Sequence, residues 1–268
     1  MRVVIFCGGL GTRLRDFSEE IPKPLVPLGS VPIVTHVMKY YAHYGHRDFI
    51  LCLGYKADII KRHFMNCPER LPGEPVLEHG AECIRVAGEG GDWHIAFADT
   101  GLTANVGQRL KAVEPFLKDE PVFLANYADG LTDYPLPDLI RAFKARHATG
   151  MFLSVRPNCS FHFVRHTSEG RVTAVEDIIQ ADAWINGGYF VFTNEIFKSI
   201  RPGEELVEHP FQRLIAQGKL FAVDYDGFWR CVDTFKDLQA LENLLAEGHA
   251  PWMIWQREKE KVYGQTRS

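Results

Sequence analysis

Several familiar signatures are missing from this sequence, and each absence narrows what it can be. The cysteines Cys7, Cys52, Cys67, Cys83, Cys159 and Cys231 form no CxxC pair, and no His cluster stands beside them at metal-ligand spacing. That argues against a zinc ribbon or disulfide framework and predicts reduced, mostly buried thiols. No apolar run approaches the roughly 20 residues that span a bilayer, so no membrane partner is expected. Met1 to Phe6 runs straight into a glycine loop with no signal peptide, and a cytoplasmic location is expected. Basic charge is not in excess: Lys plus Arg number 30 against 34 Asp plus Glu, a formal net charge of -4. A nucleic-acid partner would leave a strongly basic face, so none is expected. Internal repeats and low-complexity stretches are also lacking.

What is present fits a soluble α/β enzyme. The chain has 268 residues, 46% hydrophobic and 24% charged, enough to bury a core without staples. Strand and helix signals alternate. Val3–Phe6, Phe49–Leu53, Pro121–Ala125, Phe152–Val155 and Tyr189–Phe192 read as buried strands. Ile33–Tyr44, Asp58–Phe64, Leu136–His147, Glu208–Gln217 and Asp237–Ala246 read as helices, the first ending at Gly45 as a C-cap. This order predicts a single domain built on a mixed, mostly parallel sheet with helices on both faces. Ligands in such folds bind beyond the carboxyl ends of the strands. Residues 66–92, rich in Pro, Gly and Glu, read as a long loop or hairpin excursion, a lid or a subunit contact. The charged residues from about 256 read as a frayed tail.

The first strand delivers the chain into Gly8-Gly9-Leu10-Gly11-Thr12-Arg13-Leu14. Glycines let backbone N–H groups approach phosphate oxygens, and Arg13 can fork onto the same phosphates. A tight strand-to-helix turn is the plainer reading of such a loop. Neither the G-x-G-x-x-G fingerprint nor the G-x-x-x-x-G-K-[ST] P-loop is present. Leu53-Gly54-Tyr55-Lys56 stands where a dinucleotide site would carry an acidic residue, so a nicotinamide oxidoreductase is disfavoured. Pro22-Lys23-Pro24 holds a lysine on a stiff, extended segment that can reach the same phosphates.

Together, Gly-Gly-Leu-Gly-Thr-Arg-Leu and Pro-Lys-Pro resemble the signature of the sugar-phosphate nucleotidyltransferases. The resemblance continues in order through His36–Gly45, Gly54–Lys56, Asp99–Gly101, Gly107–Lys111, Trp184–Gly188 and Ala250–Trp252. These stretches look most like the family's glucose-1-phosphate cytidylyltransferases. The resemblance implies a three-layer Rossmann-like fold. It also implies transfer of NMP from an NTP, CTP by resemblance alone, to a sugar 1-phosphate in a homo-oligomeric enzyme. Residues 1–130 would mainly bind nucleotide and 131–240 mainly acceptor, with 241–268 as C-terminal helix and tail.

NTP chemistry needs a divalent cation, and Mg2+ favours one or two carboxylates. Asp129 and Asp233 each follow a strand-like run. Read plainly, Asp129 is a turn residue and Asp233 a helix N-cap. The resemblance makes them the metal ligands, with Asp133 a weaker alternative. It places Gly8, Gly9, Gly11 and Thr12 on the nucleotide and Arg13 and Lys23 on the triphosphate. Arg109, Glu176, Asn186 and Gly187 would hold the acceptor. The family's acceptor pocket reads Glu-Lys-Pro, but here Glu176 is followed by Asp177 and Ile178. Three accounts stay open: Arg165 or Arg171 supplies the missing charge, the acceptor differs, or the chain binds nucleotide without catalysis. His162 and His166 flank this region and read as surface or packing residues.

Overall fold

The computed structural model describes residues 1–9, 20–88, 90–157, 162–178 and 183–256. In chain order, β1 (Val3–Phe6) is followed by a 3-10 turn at Lys23–Leu25 and a ribbon of β2 (Pro27–Leu28) and β3 (Val31–Pro32). Then come α1 (Ile33–His43), β4 (Asp48–Leu53) and α2 (Ala57–Met65). β5 (Val76–Glu78), β6 (Ala81–Gly88) and β7 (Gly91–Asp99) lead to α3 (Val106–Ala112) and β8 (Val122–Tyr127). β9 (Gly130–Thr132), α4 (Leu136–Ala145) and β10 (Gly150–Val155) follow. A hairpin of β11 (His162–His166) and β12 (Val172–Asp177) precedes β13 (Ile185–Thr193) and α5 (Ile196–Ser199). The described chain closes with α6 (His209–Ala216), β14 (Leu220–Tyr225), β15 (Trp229–Cys231) and α7 (Phe235–Ala246).

Nine strands form one sheet in the order β14-β10-β13-β8-β1-β4-β7-β6-β5. β8, β1, β4 and β7 are parallel neighbours, while β13 and β6 run against them. The sheet has a core on each face. Val3 and Ile5 of β1 join one, Val4 and Phe6 the other. β4 splits likewise, with Phe49, Leu51 and Leu53 on the first face and Ile50 and Cys52 on the second. A strand covered on both faces reads as an unbroken apolar run, which is why these two were visible in the sequence. The first core takes Val37 of α1, Ile60 of α2, Leu139 of α4 and Leu241 of α7. The second takes Leu110 of α3, Phe197 of α5 and Phe211 of α6. The result is the expected three-layer, mostly parallel α/β architecture.

Gly45 ends α1 as anticipated, at φ +85° with its N–H on Ala42 O. Within 66–92 the hairpin is present, built into the sheet. Much of it is β5 and β6, hydrogen-bonded into the edge of the main sheet beside β7. β7 is buried on both faces over most of its length, so it offers no alternation to find. Helix α3 begins on a reciprocal capping box between Asn105 and Gln108. Among the described residues no helix is long and apolar enough to cross a membrane.

Candidate active site

Parallel register gathers four loops at one end of the sheet. Phe6 is level with Cys52 and with Tyr127, and Leu53 with Asp99. The segments at Gly8-Gly9, Gly54, Thr100–Leu102 and Ala128-Asp129 therefore emerge side by side. A second pairing brings in the far end of the chain. β15 lies antiparallel to β9 with Cys231 opposite Gly130, and the Val232 N–H donates to Asp129 O over 3.1 Å. Asp233 is thereby set beside Asp129. Asp129 does occupy the turn between β8 and β9. The N-cap of α7 is Thr234, whose Oγ1 accepts from the Asp237 N–H, so Asp233 is not the cap.

Lys23 points into this pair. Its Nζ lies 2.5 Å from Asp129 Oδ2 and 2.7 Å from Asp233 Oδ1. The backbone that carries it is a 3-10 turn rather than the extended segment expected, with Pro22 and Pro24 buried on either side. Both prolines still fix φ, and their burial anchors the lysine. Burial alone would lower the Lys23 pKa, but the two carboxylates overcome it and hold the ammonium above its usual value. An open cleft of about 390 Å³ runs past this triad. Gly9, Lys23, Tyr127, Asp129 and Asp233 line it, together with Asn105, Arg109 and Glu205. Gly11, Thr12 and Arg13 lie outside the described residues.

Arg109 lines the cleft with its guanidinium engaged by the loops around it. It is only 4% exposed, and burial lowers its pKa. Its Nη1 donates to Leu53 O, Thr100 Oγ1 and Gly101 O, and its Nη2 to Gly8 O over 2.8 Å. The guanidinium ties three of the four loops together from beneath. It also explains two glycines: a Cβ at Gly8 would meet Arg109 Nη1 at 2.1 Å, and one at Gly54 would meet it at 2.6 Å.

On the acceptor side, β13 runs antiparallel to β8 with Tyr189 opposite Asn126. Continuing that register carries Gly187 and Asn186 past the end of β8, towards Asp129. Asn186 Nδ2 donates to Tyr127 OH over 3.4 Å, and Trp229 Nε1 donates to Gly187 O over 2.9 Å. Glu176 is not brought to the cleft lining. It sits on the β11–β12 hairpin, where Arg165 Nε is 3.1 Å from its Oε2. Asp177 ends the same strand, opposite His162.

The sequence reading missed Tyr127, Asn105 and Glu205. Glu205 Oε2 accepts from the Val106 N–H and Oε1 from the Leu206 N–H, fastening the start of α3. The Asn105 to Gln108 spacing is a capping signal and could have revealed both that helix and its cleft-facing end.

A nucleotidyl transferase family model matches residues 2–248. The chain belongs to that family. Glucose-1-phosphate cytidylyltransferase of Salmonella typhi is 35% identical over 96% of this chain and all of its own length. A probable glucose-1-phosphate cytidylyltransferase of Bacillus subtilis is 31% identical over 95% of this chain and all of its own. Among solved structures, a putative glucose-1-phosphate thymidylyltransferase from Bacillus anthracis superposes with a TM-score of 0.63 at 16% identity. It covers 91% of this chain and 94% of its own. That likeness confirms the nucleotidyltransferase fold. The chain is an enzyme of this transferase class, and its resemblance to the cytidylyltransferases, drawn from short motifs, extends over nearly its whole length.

Proposed function

We propose that this nucleotidyltransferase moves CMP from CTP to a sugar 1-phosphate, glucose 1-phosphate or a close relative, and releases pyrophosphate. The observation that carries this reading is the Lys23 ammonium held between Asp129 and Asp233 on the rim of the cleft. The two cytidylyltransferase relatives support the base and the acceptor.

The two carboxylates already converge on one cation, and an all-oxygen donor pair suits Mg2+. Asp129 and Asp233 would hold it, and when bound it supplies charge neutralisation for the triphosphate. The acceptor phosphate oxygen attacks the α-phosphorus in line, and the bond to the β-phosphate oxygen breaks. No general base is needed, because the phosphate dianion is already a nucleophile. Lys23 turns from its carboxylates to the triphosphate and stabilises charge as it develops. Gly8 and Gly9, with Gly11, Thr12 and Arg13, approach the nucleotide. Asn186 and Gly187 hold the acceptor, beside Tyr127. Glu176, which the hairpin holds outside the cleft lining, would join them once an acceptor is bound, and its partner Arg165 would supply the cation that Asp177 replaces. Arg109 acts from beneath, by fixing the loops. In this scheme residues 1–130 mainly serve the nucleotide and 131–240 the acceptor. A CTP-consuming reaction suits the cytoplasm. The outer strand β5 exposes Val76 and Leu77, which supports a homo-oligomeric contact at that edge.

The deciding assay is pyrophosphate release with Mg2+ and glucose 1-phosphate, comparing CTP with ATP, GTP and UTP. Release confined to CTP supports the reading. Binding of CTP without release from any phosphate acceptor sinks it and favours a nucleotide-binding protein without catalysis.

A further inference from the structure

A second cluster of chemistry-bearing side chains lies away from the cleft, at the opposite end of the strands. Asp48 starts β4, Glu78 ends β5, Cys83 lies in β6 and His94 in β7. These strands are neighbours in the sheet, and registers of Asp48 with His94 and of Val76 with Cys83 align them. Alternation puts the four on one face, the face of Ile50, Ala81 and Ala96. One ligand atom from each of Glu78, Cys83 and His94 lies within 4.8 Å of the other two.

We propose that Glu78, Cys83 and His94 bind a borderline-soft divalent cation, Zn2+ by donor set. Thiolate, imidazole and carboxylate are the zinc donors, and a water completes a four-coordinate site. Two further contacts favour a built site over a chance ion-pair cluster. His94 Nδ1 is 3.1 Å from Asp48 Oδ1, a carboxylate placed to orient the ring, as carboxylates commonly do for metal-bound histidines. Arg2 Nη1 takes Glu78 Oε1, while Glu78 Oε2 faces the Cys83 thiol at 3.8 Å. Arg2 Nε also bonds Asp48 Oδ2. Charges then balance: Arg2 offsets Asp48, and the cation offsets the Glu78 carboxylate and Cys83 thiolate. The thiol proton leaves to solvent on binding. Cys83 is buried, whereas the His94 side chain is 37% exposed, which gives the ion a route in. A cation here joins three adjacent strands, β5, β6 and β7, with Asp48 of β4 behind His94, and pins the β5–β6 edge to the parallel centre of the sheet.

The test uses the full-length chain stripped by chelator and titrated with Co2+, whose bond to a thiolate gives a near-ultraviolet charge-transfer band. The band is expected to saturate at about one equivalent and to be bleached by Zn2+. It should be lost in both Cys83→Ser and His94→Gln, and kept in Cys67→Ser and Cys231→Ser. The half-exposed His94 position guards against a fold defect at the buried cysteine. Asp48→Asn should weaken binding about 10–100-fold. Zn2+ should raise the Tm of the parent and not that of His94→Gln. Three results overturn the site: no band, a band that survives Cys83→Ser and His94→Gln, or a band that disappears with Cys231→Ser. The last would put the ion beside Asp233.

Discussion

The Lys23 ammonium lies 2.5 Å from Asp129 Oδ2, joining the turn before β2 to the turn after β8. Asp233 completes the contact from the other side. One cation lies between two carboxylates and offsets the repulsion that their proximity would otherwise cost.

Lys23→Ala removes that cation. Turnover is expected to fall at least about a hundredfold, the scale of losing one group that stabilises transition-state charge. The bare carboxylate pair should also gain affinity for Mg2+, seen as a larger Mg2+-dependent Tm rise than in the parent. Near-parental turnover would take Lys23 out of the mechanism.

Asp129→Asn keeps size and shape but loses the charge. Turnover should drop by orders of magnitude while circular dichroism stays native. Full activity would refute a role for Asp129 in holding the metal.

Arg109→Ala separates the two readings of this residue. Loss of a buried guanidinium takes a donor from the Gly8, Leu53 and Gly101 carbonyls, of which Gly8 and Leu53 keep others on Tyr55 and Thr100, a destabilisation of about 1–3 kcal/mol. A clear fall in Tm is the expected result. An unchanged Tm with a raised KM for the acceptor would return Arg109 to the acceptor site.

Asp177→Lys restores the charge that the family pattern carries at this position. Turnover of glucose 1-phosphate should improve, because exchanging a carboxylate for an ammonium reverses the local preference for a phosphate. No gain would show that charge at this position does not limit the reaction.

His36 provides a pH dependence of stability. The buried ring accepts at Nδ1 from Trp252 Nε1, which can only donate, and its Nε2 donates to Leu28 O. That fixes the neutral tautomer, and burial lowers the His36 pKa. The unfolded chain therefore binds the proton more readily. The stabilisation is complete above the unfolded value of about 6.5 and declines as pH falls below it. Tm should decrease between pH 7 and pH 5, with a shallower slope in His36→Gln. Equal slopes would clear His36 of the effect.

The strands buried on both faces were legible because nothing in Val3–Phe6 or Phe49–Leu53 needs to face water. Asp129 and Asp233 were legible as strand-end carboxylates. Their contact was not, because it depends on β9 pairing with β15. What holds Arg109 in place was hidden for a related reason. Its motif shows a cation near a phosphate site, but only packing shows that Gly8 and Gly54 leave the space its guanidinium fills. The cluster of Glu78, Cys83 and His94 has no metal-ligand spacing along the chain, since its members come from three strands.

Local chemistry in the sequence settled the alternation of buried strands and amphipathic helices, the glycine loop, the proline-flanked lysine and the family they belong to. Each of these depends on neighbours a few residues apart. The tertiary structure alone decided which strands lie side by side, and so which distant side chains meet. Lys23, Asp129 and Asp233 form one site because parallel and antiparallel registers carry three remote segments to the same end of one sheet.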